Sequence, residues 1–213
     1  MMLTLSAVVV TLTFQSDPRL SQVIQTAAVV EAAAIWAPYG VDVRSAAPCG
    51  LFDDSTSLTV AIEDEVVRPG PDARYTGTFG AIRFTNGVPA PAIVVFYDAM
   101  IRLTDTALLR DTPLIAWPNA FRTFILGRVI GRVLAHEIGH FLLQLHGHSA
   151  GGLMRAQPSV AELVDANRGR FALSAADQAR WARVRDGGGA STAASATRAD
   201  TVRRPEPPAP RRD

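Results

Sequence analysis

The 213-residue sequence contains no lysine, one cysteine and only four histidines. Its 21 basic residues are therefore all arginines, and they nearly balance 20 acidic residues. A formal net charge of +1 gives no indication of a nucleic-acid-binding surface. Cys49 has no second cysteine to pair with, so the fold does not depend on an oxidising compartment. Because no run reaches the roughly 20 apolar residues of a membrane span, we expect a soluble protein.

The first twenty residues, MMLTLSAVVVTLTFQSDPRL, fit either a β-strand or the apolar core of a secretory signal. Apolar residues alternate through Val8, Val10, Leu12 and Phe14, as in a strand. A signal would need a basic region and a small-residue cleavage site, and neither precedes Gln15. We favour the strand. The compartment stays open, with the cytoplasm slightly favoured over secretion.

The remaining pattern predicts one α/β (α+β) domain over residues 1–186. Helices are predicted at 20–36, 100–109 and 174–185, with the longest beginning at an N-cap on Asn119, and strands at 41–44, 57–67, 80–85 and 92–97. The first strand, helix and second strand form a β-α-β unit with parallel strands. Residues 69–77 are predicted to be a loop, and Pro89 and Pro91 to lie between strands or on an exposed edge. The segment 187–213 is rich in Pro, Arg and Ala, and we expect it to be disordered.

The longest helical pattern carries the sequence HEIGH at residues 136–140. His136 and His140 are four residues apart, so both imidazoles project from one helix face and can bind one metal ion. Glu137 lies close enough to hydrogen-bond a metal-bound water, which suits a general base acting on water whose pKa zinc has lowered. All four histidines fall between His136 and His148, and this clustering argues against a chance match.

A catalytic zinc ion usually has three protein ligands and one open position. Two histidines follow HEIGH, His146 and His148, and either could complete the set. Glu162, in the sequence SVAELVDA, is an acidic alternative farther along the chain. The residues alone leave this choice open.

The stretch from His136 to Met154, HEIGHFLLQLHGHSAGGLM, resembles the metzincin clan of zinc peptidases, whose pattern is HExxHxxGxxH followed by a Met-containing turn. His146 has the spacing of the clan's third histidine, but Leu143 replaces its glycine. Leucine resists the left-handed conformation that ends the helix there. We therefore expect the helix to continue to Gln144 or Leu145.

On this interpretation, Gly147 is the first flexible point, and His148 is favoured over His146 as the third ligand. His148 also matches small bacterial metzincin-like proteins, in which the third histidine comes twelve residues after the first and Ser or Thr follows. The resemblance further implies that Met154 belongs to a Met-turn beneath the metal.

The resemblance implies a zinc metallopeptidase with one bound Zn²⁺, acting on a peptide or protein substrate, and we expect a monomer. It also implies a mostly parallel twisted sheet with an antiparallel edge strand at 80–85, which would pair with an extended peptide. The alternative is a zinc-stabilised binding or structural module without turnover. Glu137 argues against that alternative, because a structural site does not need a carboxylate beside an open position.

Overall fold

A five-stranded mixed sheet forms the centre of the fold. The computed structural model describes residues 7–46, 56–64 and 79–187. The strands are β1 (Val8–Phe14), β2 (Val41–Ser45), β3 (Thr56–Glu63), β4 (Gly80–Thr85) and β5 (Val88–Phe96). Their order is β2-β1-β3-β5-β4, with parallel pairing throughout except between β5 and the edge strand β4. The prediction of a mostly parallel sheet with an antiparallel edge is confirmed.

Five α-helices lie in the described part of the chain. They are α1 (Gln22–Trp36), α2 (Tyr97–Thr106), α3 (Asn119–Leu143), α4 (Val160–Val164) and α5 (Ala175–Gly187). A short hairpin, β6 (Leu108–Leu109) and β7 (Thr112–Pro113), links α2 to α3. Sequence reasoning did not predict this hairpin or α4, because both are too short to show a periodic pattern. No helix within the described ranges is long and apolar enough to cross a bilayer.

The alternating stretch Val8–Phe14 forms strand β1, as predicted. β1 lies between β2 and β3, and its inward residues Val10 and Leu12 are fully buried. The β-α-β unit is also confirmed, since β1 and β2 pair in parallel on either side of α1 in the chain.

Of the two placements predicted for Pro89 and Pro91, the structure has the edge of the sheet rather than a loop between strands. Both lie in the first half of β5, which pairs only with β4. Proline is tolerated there because β3 joins β5 only from Ala92, so no second ladder needs the missing N–H groups.

The predicted N-cap of α3 was wrong. Pro118 occupies the N-cap position and Asn119 is the first helical residue.

Three predicted features fall outside the described residues: the lone Cys49, the loop at 69–77, and the segment 188–213 of the predicted C-terminal tail.

Small residues set the position of α3 against α1. A Cβ atom placed on Gly127 would lie 2.5 Å from the Cβ of Ala27, and one on Gly131 would lie 2.5 Å from the carbonyl oxygen of Ala28. The two helices can therefore approach only because glycine occupies both positions. α3 also contacts β4 and β5, and Val133 and Glu137 in its C-terminal half lie against Gly80 at the start of the edge strand.

Candidate metal centre

The C-terminal half of α3 brings two imidazoles together. His136 and His140 are one helical turn apart, with ring centroids 4.7 Å apart and Nε2 atoms 3.0 Å apart. His140 is fully buried, His136 is half-buried, and Glu137 between them is 1% exposed. The helix therefore brings the two rings together, as their four-residue spacing indicates.

A third imidazole reaches the pair from the chain beyond the helix. Potential ligand atoms of His136, His140 and His148 all lie within 4.8 Å of one another. The His148 ring centroid is 5.3 Å from that of His136 and 5.0 Å from that of His140. Unlike His140, His148 is exposed. These three side chains form the group that we call the histidine cluster.

The two other ligand candidates lie elsewhere. His146 packs its ring against Phe84 of β4, with centroids 4.8 Å apart. Glu162 belongs to the N-terminal capping box of α4, where its carboxylate accepts hydrogen bonds from the backbone and hydroxyl of Ser159, and it also accepts one from Arg155. The Ser159 hydrogen bonds, with Arg155, lower the pKa of Glu162 to about 2. Its contacts are those of a structural carboxylate.

Backbone carbonyls fix the orientation of the two helical imidazoles. Nδ1 of His136 is 2.7 Å from the carbonyl oxygen of Leu153, and Nδ1 of His140 is 2.5 Å from that of Leu145. A carbonyl oxygen only accepts, so both Nδ1 atoms must carry the proton. Each Nε2 then presents a lone pair toward the other ring.

This arrangement fits a metal ion. Two unprotonated Nε2 atoms 3.0 Å apart repel each other unless a cation lies against both lone pairs. Two nitrogens on a tetrahedral zinc ion, each bonded at its usual length, are about 3.3 Å apart. Histidines that bind zinc usually donate their other ring N–H to a carbonyl or carboxylate group, as these two imidazoles do to backbone carbonyls.

Burial keeps the paired imidazoles neutral. It lowers the pKa of His136 to about 4, against a smaller opposing effect of the Leu153 carbonyl. For His140, burial followed by the nearby His136 lowers the pKa to about 3. Both rings are therefore uncharged near pH 7, the state in which imidazole binds a metal ion.

The helix ends earlier than predicted. Its last residue is Leu143, and Gln144 takes a left-handed conformation with φ of 47°. The reversal therefore occurs at Gln144, so the predictions that the helix continues to Gln144 or Leu145 and that Gly147 is the first flexible point were wrong. Hydrogen bonds offset the unfavourable conformation, since the Gln144 N–H donates to the carbonyls of His140 and Phe141.

Met154 lies beneath the turn that carries the two imidazoles. A Cβ atom on Gly139 would be only 2.3 Å from the Met154 sulfur, so the glycine of HEIGH is required for this approach. Met154 is fully buried, and its carbonyl accepts a hydrogen bond of 2.8 Å from the Ser149 backbone. The chain just after His148 is thereby connected to Met154.

Strand β4 passes close to Glu137. A Cβ atom on Gly80 would lie 2.5 Å from Val133 and 3.5 Å from Glu137. Beside Glu137 and His136 is a cavity of about 40 Å³, with Phe79, Leu153 and Phe171 among its lining residues. The carboxylate thus lies between the edge strand and a small, largely apolar cavity.

A crystal structure of archaemetzincin from Methanopyrus kandleri matches this chain with a TM-score of 0.48. The two chains are 17% identical, and the match covers 86% of this chain and 98% of the other. No family model matches the sequence, and neither does any curated protein.

Sequence reasoning missed several groups that support this site. The Leu145 and Leu153 carbonyls are backbone atoms, which no residue type reveals. Gly80 and Gly139 are different, because a glycine within a strand or helix signals a close approach. Gly139 was visible in the motif, but its partner Met154 could be found only from the fold.

Proposed function

We propose that this protein is a metzincin-like zinc metallopeptidase, in which His136, His140 and His148 bind one Zn²⁺ and Glu137 is the general base. The observation that carries the proposal is the convergence of three imidazoles, two of which have Nδ1 bonded to a carbonyl and Nε2 directed inward. Three histidines leave a tetrahedral zinc ion with one open position, as in catalytic rather than structural sites.

A bound zinc ion would polarise the substrate carbonyl and lower the pKa of a water molecule at the open position. The chain's own contribution to proton transfer is Glu137. Its carboxylate is next to His136 in sequence and almost completely buried, so it can take a proton from that water and pass it to the leaving amine.

Strand β4 offers a surface for the substrate backbone. Within the described sheet it pairs on one side only, with β5, and its first residue lies against the helix turn that carries Glu137. An edge strand can bind an extended peptide through main-chain hydrogen bonds. We infer that the scissile bond lies between β4 and the histidine cluster, which makes peptides or proteins the substrate class.

The buried Met154 supports assignment of its segment as a Met-turn. Its sulfur lies against the backbone at Gly139, the residue before His140. This contact supports the helix turn from below, where an apolar residue also limits access of water to the rings.

The decisive experiment compares wild type with Glu137→Gln. Zinc content is measured by elemental analysis, and hydrolysis is followed with a mixture of peptides and unfolded protein. We expect both forms to bind one zinc ion, with hydrolysis falling at least about a hundredfold in the variant because the general base is lost. Equal hydrolysis by both forms would reject the catalytic assignment. Zinc binding without hydrolysis by either form would favour the structural module.

A further inference from the structure

The segment that carries His148 is held at its start by a residue of α5. Arg180 donates from Nε to the carbonyl of Leu143 at 2.5 Å, and from a second guanidinium nitrogen to the carbonyl of Gln144 at 2.9 Å. These carbonyls lie at the end of α3, where the helix itself supplies no partners and where a cation is favoured. Arg180 therefore stabilises the left-handed turn from which residues 144–149 begin.

The same helix holds the end of this segment. Asp177, three residues before Arg180 on one face of α5, accepts a 2.8 Å hydrogen bond from the Ser149 hydroxyl. Ser149 directly follows His148. Asp177 is only 4% exposed, and its second carboxylate oxygen accepts from the Ser174 hydroxyl at 2.7 Å. Both oxygens thus have fixed partners, one of them next to the third histidine.

Helix α5 is itself anchored to the core. Trp181 donates from its indole nitrogen to the carbonyl of Tyr39 at 2.9 Å, and its ring lies 6.3 Å from that of Trp36. Trp36 in turn donates to the carbonyl of Ala135, one residue before His136. These contacts connect α5 through Trp36 to the helix turn that carries His136, while Asp177 and Arg180 connect α5 to the segment that carries His148.

We propose that Asp177 and Arg180 are positioning residues that hold residues 144–149 so that His148 faces His136 and His140. This inference rests on the proposed zinc site. His148 is exposed and lies outside regular secondary structure, so its place depends on contacts that order the backbone on both sides of it. With those contacts formed in advance, zinc binding need not order the segment.

The sharpest test uses two hydroxyl groups that share one carboxylate. Ser149→Ala removes the hydrogen bond that the segment donates to Asp177, whereas Ser174→Ala removes the hydroxyl that donates to the other Asp177 oxygen and accepts from the Asp177 N–H at the start of α5. Zinc affinity is measured by competition with a chromogenic chelator. We expect Ser149→Ala to bind zinc about tenfold more weakly, as for other groups that support metal ligands, and Ser174→Ala to match wild type.

A second pair of variants tests the other end. Arg180→Ala removes both carbonyl contacts, and Arg183→Ala removes an exposed arginine of the same helix as its control. We expect about a tenfold loss of affinity in the first variant only, and a larger loss when Arg180→Ala is combined with Ser149→Ala.

A spectroscopic measurement separates positioning from general stability. Cobalt replaces zinc in each folded variant, and the visible absorption of Co²⁺ reports the number and geometry of its ligands. A changed spectrum in Ser149→Ala and Arg180→Ala, with that of both controls unchanged, is expected if His148 is displaced. Unaltered affinity and spectrum in both test variants would overturn the inference, as would equal losses in the controls. Wild-type protein that binds no zinc would instead reject the proposed metal site itself.

Discussion

The histidine cluster combines two unlike regions of the molecule. His136 and His140 lie on a regular helix, are largely enclosed, and have Nδ1 atoms bonded to backbone carbonyls. His148 is exposed and follows a left-handed turn in an irregular segment. The helical pair is fixed by local geometry, whereas the third imidazole depends on contacts with residues far along the chain.

The shared position of the helical pair follows from a regular spacing in the sequence, whereas the position of His148 depends on how the chain folds. A four-residue spacing specifies a shared helix face wherever the helix forms. No comparable rule specifies where the side chain of His148, five residues past the last helical residue, will point. The two halves of the site should therefore respond differently to substitution, pH and packing.

Substitution of a single histidine in either region should have the largest effect on zinc affinity. We expect His140→Gln to lower zinc affinity by roughly a hundredfold or more, because it removes a preoriented ligand. His148→Gln should lower zinc affinity less, by roughly tenfold to a hundredfold, because the His148 imidazole is less enclosed. Chelator competition measures both. His146→Gln is the matched control and should retain wild-type affinity.

A larger loss from His146→Gln than from His148→Gln would reverse the assignment of the third ligand. Equal losses from His140→Gln and His148→Gln would remove the distinction between the two regions.

The buried pair should make the metal-free protein sensitive to mild acid. The pKa of His136 is lowered to about 4 and that of His140 to about 3, whereas an unfolded histidine titrates near its ordinary pKa of about 6.5. Between these values the unfolded chain binds more protons, so stability is lost as pH falls from about 6.5 toward 4. The slope approaches about 1.4 kcal/mol per pH unit for each group.

Urea unfolding of metal-free protein at pH 6.5 and pH 5 measures this effect, in a window where most carboxylates remain ionised. His136→Gln should reduce the slope, and His146→Gln, which alters an exposed ring, serves as the control. An unfolding midpoint that does not change across this window would contradict the burial of neutral rings.

The packing beneath the helical pair can be tested with Gly139→Ala. The new methyl group would meet the Met154 sulfur, and we expect a loss of about 1–3 kcal/mol of stability despite alanine's better helix propensity. In a Met154→Ala background the same change should be neutral or stabilising, because the methyl group then enters vacated space. Urea unfolding of wild type, the two single variants and the double variant measures the coupling between the two positions. If the two changes in stability simply add, the contact is excluded.

The smallest effect is expected at the boundary between the two regions. Gln144→Gly places at the left-handed position the residue that tolerates it best, so stability should rise by up to about 1 kcal/mol. Zinc affinity should change less than twofold, because the hydrogen bonds from Arg180 go to backbone carbonyls that the substitution keeps. Thermal unfolding and chelator competition check both values. A destabilised variant would show that the glutamine side chain matters more than its backbone conformation.

Much of the fold follows from local patterns in the sequence. Alternation through residues 8–14 predicts β1, and the long apolar periodicity predicts α3, because each pattern reflects one buried face. The prolines of β5 were predicted to lie either between strands or on an edge, and the choice depends on how far β3 extends alongside, which is a property of the assembled sheet.

The site divides in the same way. The spacing of His136 and His140 predicted their shared face, whereas the end of α3 was placed too late. Leu143 does resist a left-handed conformation, but the next residue accepts it because hydrogen bonds from Leu145 and Arg180 stabilise the turn. Arg180 is 36 residues from Gln144, so no local pattern reveals this contact.

The most direct measurement is a crystal structure of protein purified with zinc, with anomalous scattering recorded at the zinc absorption edge. One anomalous peak is expected about 2 Å from a nitrogen of each of His136, His140 and His148, with a solvent molecule at the fourth position next to Glu137. A peak bound by His146 or Glu162 instead of His148, or no peak in the cluster, would contradict the account.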